Sequence, residues 1–198
     1  MQEFKTKDKM LHIARTLFWE NGYHATSMRD LARAYGCKPA NIYNFFPNKE
    51  EILYEVLLEE MEQILEPIKH LEEDEDTDPI AQLHLIIESH LEVTLSYRRS
   101  AKTLFDVTLD SLSPQKREVI VNMRDTYDRI IRKAIQRGID QGLFIRTDAK
   151  LASFLIASMI TRTRIWFHPK KGVSVSELAE FIFHFALNGL RGEHPSTP

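Results

Sequence analysis

Side chains able to contact nucleic acid are concentrated in one short segment near the N-terminus. Asn41 and Asn44 flank Tyr43, and Ile42 and Phe46 are spaced to face the opposite side. An asparagine can bond bidentately to adenine, and a tyrosine hydroxyl can donate a hydrogen bond to a phosphate. The spacing predicts a short helix with one buried and one exposed face, of a kind that enters a DNA groove.

Helix signals on both sides of this segment predict the elements that position it. Ser27 and Asp30 form a capping box for a helix that Gly36 ends. The short helix, residues 39–45, opens with a proline, whose missing N–H costs little in the first turn. Asn48 is the predicted cap of the helix that follows. Two helices joined by a glycine turn are a standard way to present the second one to the major groove.

The rest of the chain is also predicted to be helical, because helical periodicity recurs and no strong strand alternation is present. Thr6 is the expected cap of the first helix, and the acidic run Glu72–Asp78 is expected to be a solvated loop. The fold class is therefore all-α, with about nine helices. The predicted domains are a DNA-binding head, residues 1–54, and a helical body, residues 55–198. The predicted body helices span 79–97, 101–111, 114–141, 151–166 and 177–190.

Composition and charge exclude several classes of protein. The single cysteine, Cys37, rules out an internal disulfide framework and is typical of the cytoplasm. No apolar run is long enough for a membrane span, and the first residues lack a secretory signal. The net charge of −3 argues against a structural protein that coats DNA nonspecifically. Residues 1–54 hold eight Lys or Arg and six Asp or Glu, a net of +2, so phosphate contacts are expected at that end.

The last predicted helix is apolar on nearly every side, and a second subunit is its expected cover. A central core helix of a monomer is the alternative. The expected dimer-interface residues are Leu155, Phe181, Ile182 and Phe185.

Several short motifs together resemble the N-terminal domain of TetR-family transcriptional regulators, over about residues 6–60. They are F-x-x-x-G-Y at Phe18–Tyr23, T-S at Thr26–Ser27, L-A at Leu31–Ala32, Gly36, I-Y at Ile42–Tyr43, Phe46, and N-K-E at Asn48–Glu50. The chain departs from the family pattern at Cys37, Lys38 and Asn41, where valine, a capping serine and threonine or serine are usual.

The resemblance implies a homodimeric repressor that a small molecule releases from a palindromic operator. It implies phosphate contacts by Tyr43 and Lys49, and a ligand cavity in the body. The full set of expected DNA-binding residues is Ser27, Lys38, Pro39, Ala40, Asn41, Tyr43, Asn44, Phe45 and Lys49.

Two features of the body favour an anionic effector with an acyl chain, such as an acyl-CoA. Arg162 lies on an apolar stripe, and the segment 166–172 resembles a W-[YF]-x-P-x-G loop of TetR-type repressors of fatty-acid and steroid degradation. A lipophilic cation is the alternative, with Glu88, Glu92, Asp106 and Asp110 as candidate carboxylates. A structural ion pair or a dimer-interface bond is the alternative role for Arg162. The expected ligand-binding residues are Arg98, Phe105, Tyr127, Met159, Arg162 and Trp166.

An enzyme is the main alternative class. The sequence contains no G-x-S-x-G, no phosphate-binding glycine loop and no H-E-x-x-H. His84 and Glu88 share a helical face but His90 does not, so no metal site is expected. The chain is therefore expected to have no catalytic residues and no cofactor.

Overall fold

The computed structural model describes residues 2–96, 109–168 and 172–191, and all regular structure there is helical. Eight α-helices are present in this part of the chain, which confirms the all-α class and comes close to the predicted nine. They are α1 (Gln2–Asn21), α2 (Met28–Tyr35), α3 (Pro39–Tyr43), α4 (Lys49–Leu65), α5 (Pro79–Ser96), α6 (Pro114–Asp140), α7 (Ala149–Trp166) and α8 (Val175–Arg191). Short 3-10 turns span Lys69–Glu72 and Leu109–Ser111.

The chain divides into two compact units. The first comprises residues 1–62 and 98–122, and the second comprises residues 63–97 and 123–198. In the first unit, α1 packs on α2 and α2 packs on α3. In the second, α5 packs on both α7 and α8. Most of the predicted helix at residues 101–111 lies outside the described residues.

Local capping rules account for several of the helix boundaries. The capping box of Ser27 and Asp30 is present, and Gly36 ends α2 in the left-handed region at φ 81°. Asn48 accepts a hydrogen bond from the Glu51 N–H at 2.8 Å. Asp148 caps α7, and Ser174 with Glu177 caps α8.

The predicted cap at Thr6 is wrong. The first helix begins at Gln2, so Thr6 lies inside it. Residues 2–5 contain neither proline nor glycine, and nothing in their sequence prevents the helix from continuing toward the N-terminus.

No helix among the described residues combines the length and the hydropathy that crossing a membrane requires.

Candidate nucleic-acid interface and apolar groove

The short helix α3 has one buried and one exposed face, as its spacing predicts. Ile42 and Phe46 are 2% and 0% exposed, which confirms their place in the core of the first unit. Asn41, Tyr43 and Asn44 are exposed on the other side. We call the following residues the α3 surface: Ser27, Lys38, Pro39, Ala40, Asn41, Tyr43 and Asn44, all of which are exposed, and Phe45, which is half-buried.

The turn between α2 and α3 is tied to α2 through its backbone. The N–H groups of Gly36 and Cys37 both donate to Ala32 O, at 3.0 Å each. Lys38 occupies the N-cap position of α3, and its side chain makes no capping hydrogen bond. The backbone of Ala32, Gly36 and Cys37, together with Pro39 in the first turn, therefore sets the entry to α3 without the capping serine that is usual in the family.

Lys49 is placed differently from the other expected DNA contacts. It is half-buried, and its Nζ donates to the carbonyl oxygens of Tyr23 and Thr26, both at 2.8 Å. Burial lowers the pKa of this ammonium. The side chain is thus engaged within the first unit, on the connection between α1 and α2.

The N-terminus of α4 is bonded to the N-terminus of α6. The Ser113 N–H donates to Glu50 Oε1 at 2.9 Å, and this bond is the main reason why the pKa of Glu50 lies below its ordinary value. Lys116 pairs with Glu51 and lies 3.5 Å from Glu50, and the hydrogen bond to Glu51 raises the lysine pKa. Residues 109–122 therefore belong structurally with α4.

In the second unit, α7 and α8 form an open groove with a volume of about 470 Å³. Large apolar side chains in this groove are strongly exposed: Leu155 and Trp166 at 59% each, Phe181 at 69% and Phe185 at 63%. Among the described residues that line it, Arg162 is the only charged one. We call this the apolar groove, lined by Leu155, Ser158, Met159, Arg162, Trp166, Leu178, Phe181, Ile182 and Phe185.

The apolar groove brings together residues that the sequence assigned to two different roles. The sequence predicts ligand binding for Met159, Arg162 and Trp166. It predicts a dimer interface for the other shared residues, which are Leu155, Phe181, Ile182 and Phe185. Arg162 is exposed in the single chain. Arg98 and Phe105, two further expected ligand contacts, lie outside the described residues.

Tyr127, the remaining expected ligand contact, is buried away from the apolar groove. Its hydroxyl lies 2.7 Å from His90 Nδ1, and the two rings pack edge to face. Burial raises the pKa of Tyr127. Burial, and secondarily the charge of Arg164, lowers the pKa of His90 to about 3, so this histidine is neutral at physiological pH.

Sequence reasoning missed a row of cations on α6 that holds the acidic connection between α4 and α5. Lys133 Nζ donates to Glu72 O at 2.8 Å, and Arg137 donates to the carbonyl oxygens of Asp74 and Thr77 at 3.1 and 3.2 Å. The segment is largely exposed, as expected, but three of its backbone carbonyls accept hydrogen bonds from α6. The sequence contains a pattern that could have predicted these contacts. Arg129, Lys133 and Arg137 are four residues apart and so share one face of a helix, and the chain also carries an acidic run that such a face could bind.

In the part of the chain that the structure describes, neither the possible metal ligands nor the carboxylates suggested for a cationic effector form a cluster like the apolar groove. Among the described residues, no three His, Cys, Asp or Glu side chains are grouped to hold a metal ion. Glu88 lies 3.9 Å from His84, and Asp110 pairs with Arg117 at 2.9 Å. Asp106 lies outside the described residues.

A capped helix-turn-helix with a polar exposed face, followed by a helical body, is typical of DNA-binding regulators. Two family models cover most of the chain. The model described as bacterial regulatory proteins, tetR family, matches residues 10–56, and the model described as tetracyclin repressor-like, C-terminal domain, matches residues 76–190. The chain belongs to the TetR family of transcriptional regulators, which confirms the resemblance seen in its sequence.

Relatives and solved structures agree with this assignment. The TetR-family regulator PfmR of Thermus thermophilus is 32% identical, with a TM-score of 0.80, covering 92% of this chain and 99% of that one. The fatty acid metabolism regulator protein of Bacillus subtilis (strain 168) is 26% identical over 192 residues, covering 93% of this chain and 95% of the relative. The structure of AibR in complex with isovaleryl coenzyme A and operator DNA has the same fold, with a TM-score of 0.77 at 20% identity, covering 91% and 97%.

Proposed function

We propose that this regulator is a homodimeric repressor that an acyl-CoA-like molecule releases from a palindromic operator. The observation that carries the proposal is the apolar groove, in which four large apolar side chains are each more than half exposed in the single chain. A contiguous apolar surface of this kind is typical of a protein interface or a ligand groove.

A second copy of the chain is the cover that best fits the length of this surface. Leu151 and Leu155 continue it along α7, and Phe181 and Phe185 lie one turn apart on α8. Burying one such side chain stabilises an assembly by about 1.5–3 kcal/mol. A two-fold interface uses the same face of both copies, so Leu151, Leu155, Phe181 and Phe185 would each contribute to it twice, once from each copy.

Two copies would present two α3 surfaces to one DNA duplex. Recognition helices related by a two-fold axis read half-sites about 34–36 Å apart, or a simple multiple of that spacing. Asn41 and Lys38 would contact base edges, and Tyr43 would contact a phosphate. Asn44 and Phe45, with Ser27 at the start of α2, would complete the surface.

The effector is proposed to bind beside Arg162 and Trp166. An acyl-CoA combines an apolar chain with phosphate groups, and the apolar groove combines apolar walls with the guanidinium of Arg162. Guanidinium groups favour phosphate and carboxylate oxygens. The complex of AibR with isovaleryl coenzyme A, and the relative that regulates fatty acid metabolism, support the same chemical class.

Release from DNA would follow from a difference in affinity. The effector must bind more tightly to the conformation whose two α3 surfaces are wrongly spaced than to the DNA-bound one. An effector that binds both conformations equally would leave operator affinity unchanged, however tightly it bound.

Native mass spectrometry of the purified chain, followed by binding of its own upstream DNA, tests the proposal. We expect a dimer, and we expect isovaleryl-CoA or a longer acyl-CoA to weaken operator binding at least about tenfold, while free CoA has less effect. Release by tetraphenylphosphonium but not by acyl-CoA would favour the cationic alternative.

A matched pair of variants assigns the effector site. Arg162→Met should reduce the response to acyl-CoA, and Arg124→Met, which removes an exposed arginine outside the apolar groove, should not. Both variants must still be dimers. Equal responses in the two variants would contradict the role of Arg162.

A further inference from the structure

Lys49 lies at the point where three elements of the first unit meet. It is the first residue of α4, and its Nζ reaches the connection between α1 and α2, where it donates to Tyr23 O and Thr26 O at 2.8 Å each. The same ammonium lies 4.3 Å from the centroid of the Tyr23 ring. These contacts span 26 and 23 residues of sequence, so they are tertiary contacts rather than helix caps.

The carbonyls that Lys49 binds are adjacent to the start of α2. Thr26 directly precedes Ser27, the N-cap residue of α2. The Thr26 side chain is buried, and its hydroxyl donates to Gly22 O at 2.9 Å and lies 3.3 Å from Leu17 O. The backbone at Thr26 is therefore held on one side by the end of α1 and on the other by the ammonium of α4.

An ammonium group has three N–H donors. In Lys49 two of them are directed at backbone carbonyls within the first unit, so one is left for a phosphate oxygen. Tyr43, by contrast, is 52% exposed on the α3 surface. The two residues that the family resemblance assigns to phosphate thus differ in how much of their bonding capacity is available to DNA.

We propose that Lys49 is a positioning residue for base reading, which fixes the α2–turn–α3 unit on the first turn of α4 through Tyr23 O and Thr26 O. Any phosphate contact it makes uses the remaining N–H. The proposal rests on the proposed reading of bases by the α3 surface. Without the ammonium, the backbone before α2 loses two hydrogen bonds. As a result, α3 meets the DNA major groove in a broader range of orientations.

The two roles predict different binding data. Loss of a phosphate contact weakens binding to every sequence equally and reduces the slope of log K against log salt by about 0.9. Loss of positioning weakens binding to the preferred sequence more than binding to other sequences, because only base contacts require an accurately placed helix. The ratio of the two affinities therefore separates the roles.

The experiment compares full-length variants on two duplexes by fluorescence anisotropy, at several salt concentrations. One duplex is recovered from a random library with the wild-type protein, and the other is a scrambled sequence of the same composition. Wild-type selectivity between them tests base reading, and its loss in a variant tests positioning. Circular dichroism melts restrict the comparison to temperatures at which each variant is folded.

For Lys49→Met we expect at least a tenfold loss of selectivity between the two duplexes. For Tyr43→Phe we expect affinity to fall by the same factor on both duplexes, so that selectivity is unchanged. Thr26→Val perturbs the same backbone segment from the other side without altering charge, and its buried hydroxyl cannot reach phosphate. It should therefore reduce selectivity with an unchanged salt slope. Lys69→Met, an exposed lysine of the second unit, should match the wild type.

Hydrogen exchange of the free protein gives a second readout. Amides at the start of α2 should exchange faster in Lys49→Met and Thr26→Val, but not in Tyr43→Phe. If Lys49→Met weakened binding to both duplexes equally, with exchange at α2 unchanged, Lys49 would be a phosphate contact only, and the proposal would be overturned.

Discussion

The first unit buries most of its large apolar side chains, whereas α7 and α8 leave several of theirs exposed. In the first unit Phe18, Ile42 and Phe46 are essentially inaccessible, and the exposed face of α3 is mainly polar. On α7 and α8, aromatic and aliphatic side chains are among the most exposed residues of their type in the described chain.

This difference separates a surface that functions in water from one that requires a cover. A polar face of a few residues on a closed core suits a hydrated, charged duplex, whose contacts are hydrogen bonds and ion pairs. An exposed apolar face gains stability only when another apolar surface covers it. We therefore propose that the regulator uses the α3 surface for DNA and the apolar groove for a second subunit and an effector.

The largest expected effect comes from opening the closed region. Phe46→Ala removes a fully buried ring and should lower the free energy of unfolding of the first unit by about 3–5 kcal/mol, with loss of DNA binding. Thermal unfolding followed by circular dichroism measures the change. Phe45→Ala, which truncates the half-buried neighbour, should cost much less, and equal costs would show that the buried face of α3 is wrongly assigned.

Adding a charge to the apolar groove should separate the copies while leaving the first unit folded. Phe185→Asp is expected to give monomers and to weaken binding to a palindrome about 100-fold or more, because the second half-site loses its high effective concentration. Sedimentation velocity and anisotropy measure the two effects. Ser176→Asp adds the same charge to an exposed position of α8 outside the groove and should remain dimeric.

A smaller effect is expected from the polar face of α3. Asn41→Ala should cost about 1–3 kcal/mol on the preferred operator and relax the base preference at one position in each half-site. Selection from a random library measures the preference. An unchanged preference would place Asn41 outside the base contacts and reduce the contrast between the two surfaces.

The buried core of the second unit should exclude water as the core of the first unit does, unlike the exposed apolar groove. The folded-state pKa of His90 is about 3, below the ordinary value of 6.5, because the ring is buried beside Tyr127 and near Arg164. As the pH falls from 6.5 toward 3, the unfolded chain binds a proton that the folded one does not. His90 then reduces stability by up to about 1.4 kcal/mol per pH unit, an effect absent above about pH 6.5.

Urea unfolding at several pH values measures this slope. His90→Gln should remove that part of the acid sensitivity, whereas His12→Gln, at an exposed position, should keep it. If the two variants lost stability in parallel as the pH fell, His90 would not be held in a closed core.

Features that depend on neighbouring residues were predictable from the sequence. The capping box at Ser27, the glycine stop at Gly36 and the cap at Asn48 all follow from short-range hydrogen bonds, and the structure has each of them. The wrong prediction at Thr6 also rests on a short-range rule. A threonine can cap a helix, but it does not end the helix when the residues before it can also be helical.

Contacts between distant segments were not predictable. Nothing local to Lys49 indicates that its ammonium meets carbonyls 23 and 26 residues away, and its place in the N-K-E motif suggested phosphate alone. Likewise, the helical period of α7 placed Arg162 beside Leu155, but only the packing of α7 against α8 puts both into one groove with Phe181.

The central claim is that the apolar groove is covered by a second copy of the chain. Sedimentation equilibrium of the wild-type protein at micromolar concentration, without DNA, tests it most directly. A mass of twice the 23.1 kDa chain is the predicted result. A single 23.1 kDa species that still bound a palindromic operator with full affinity would contradict it.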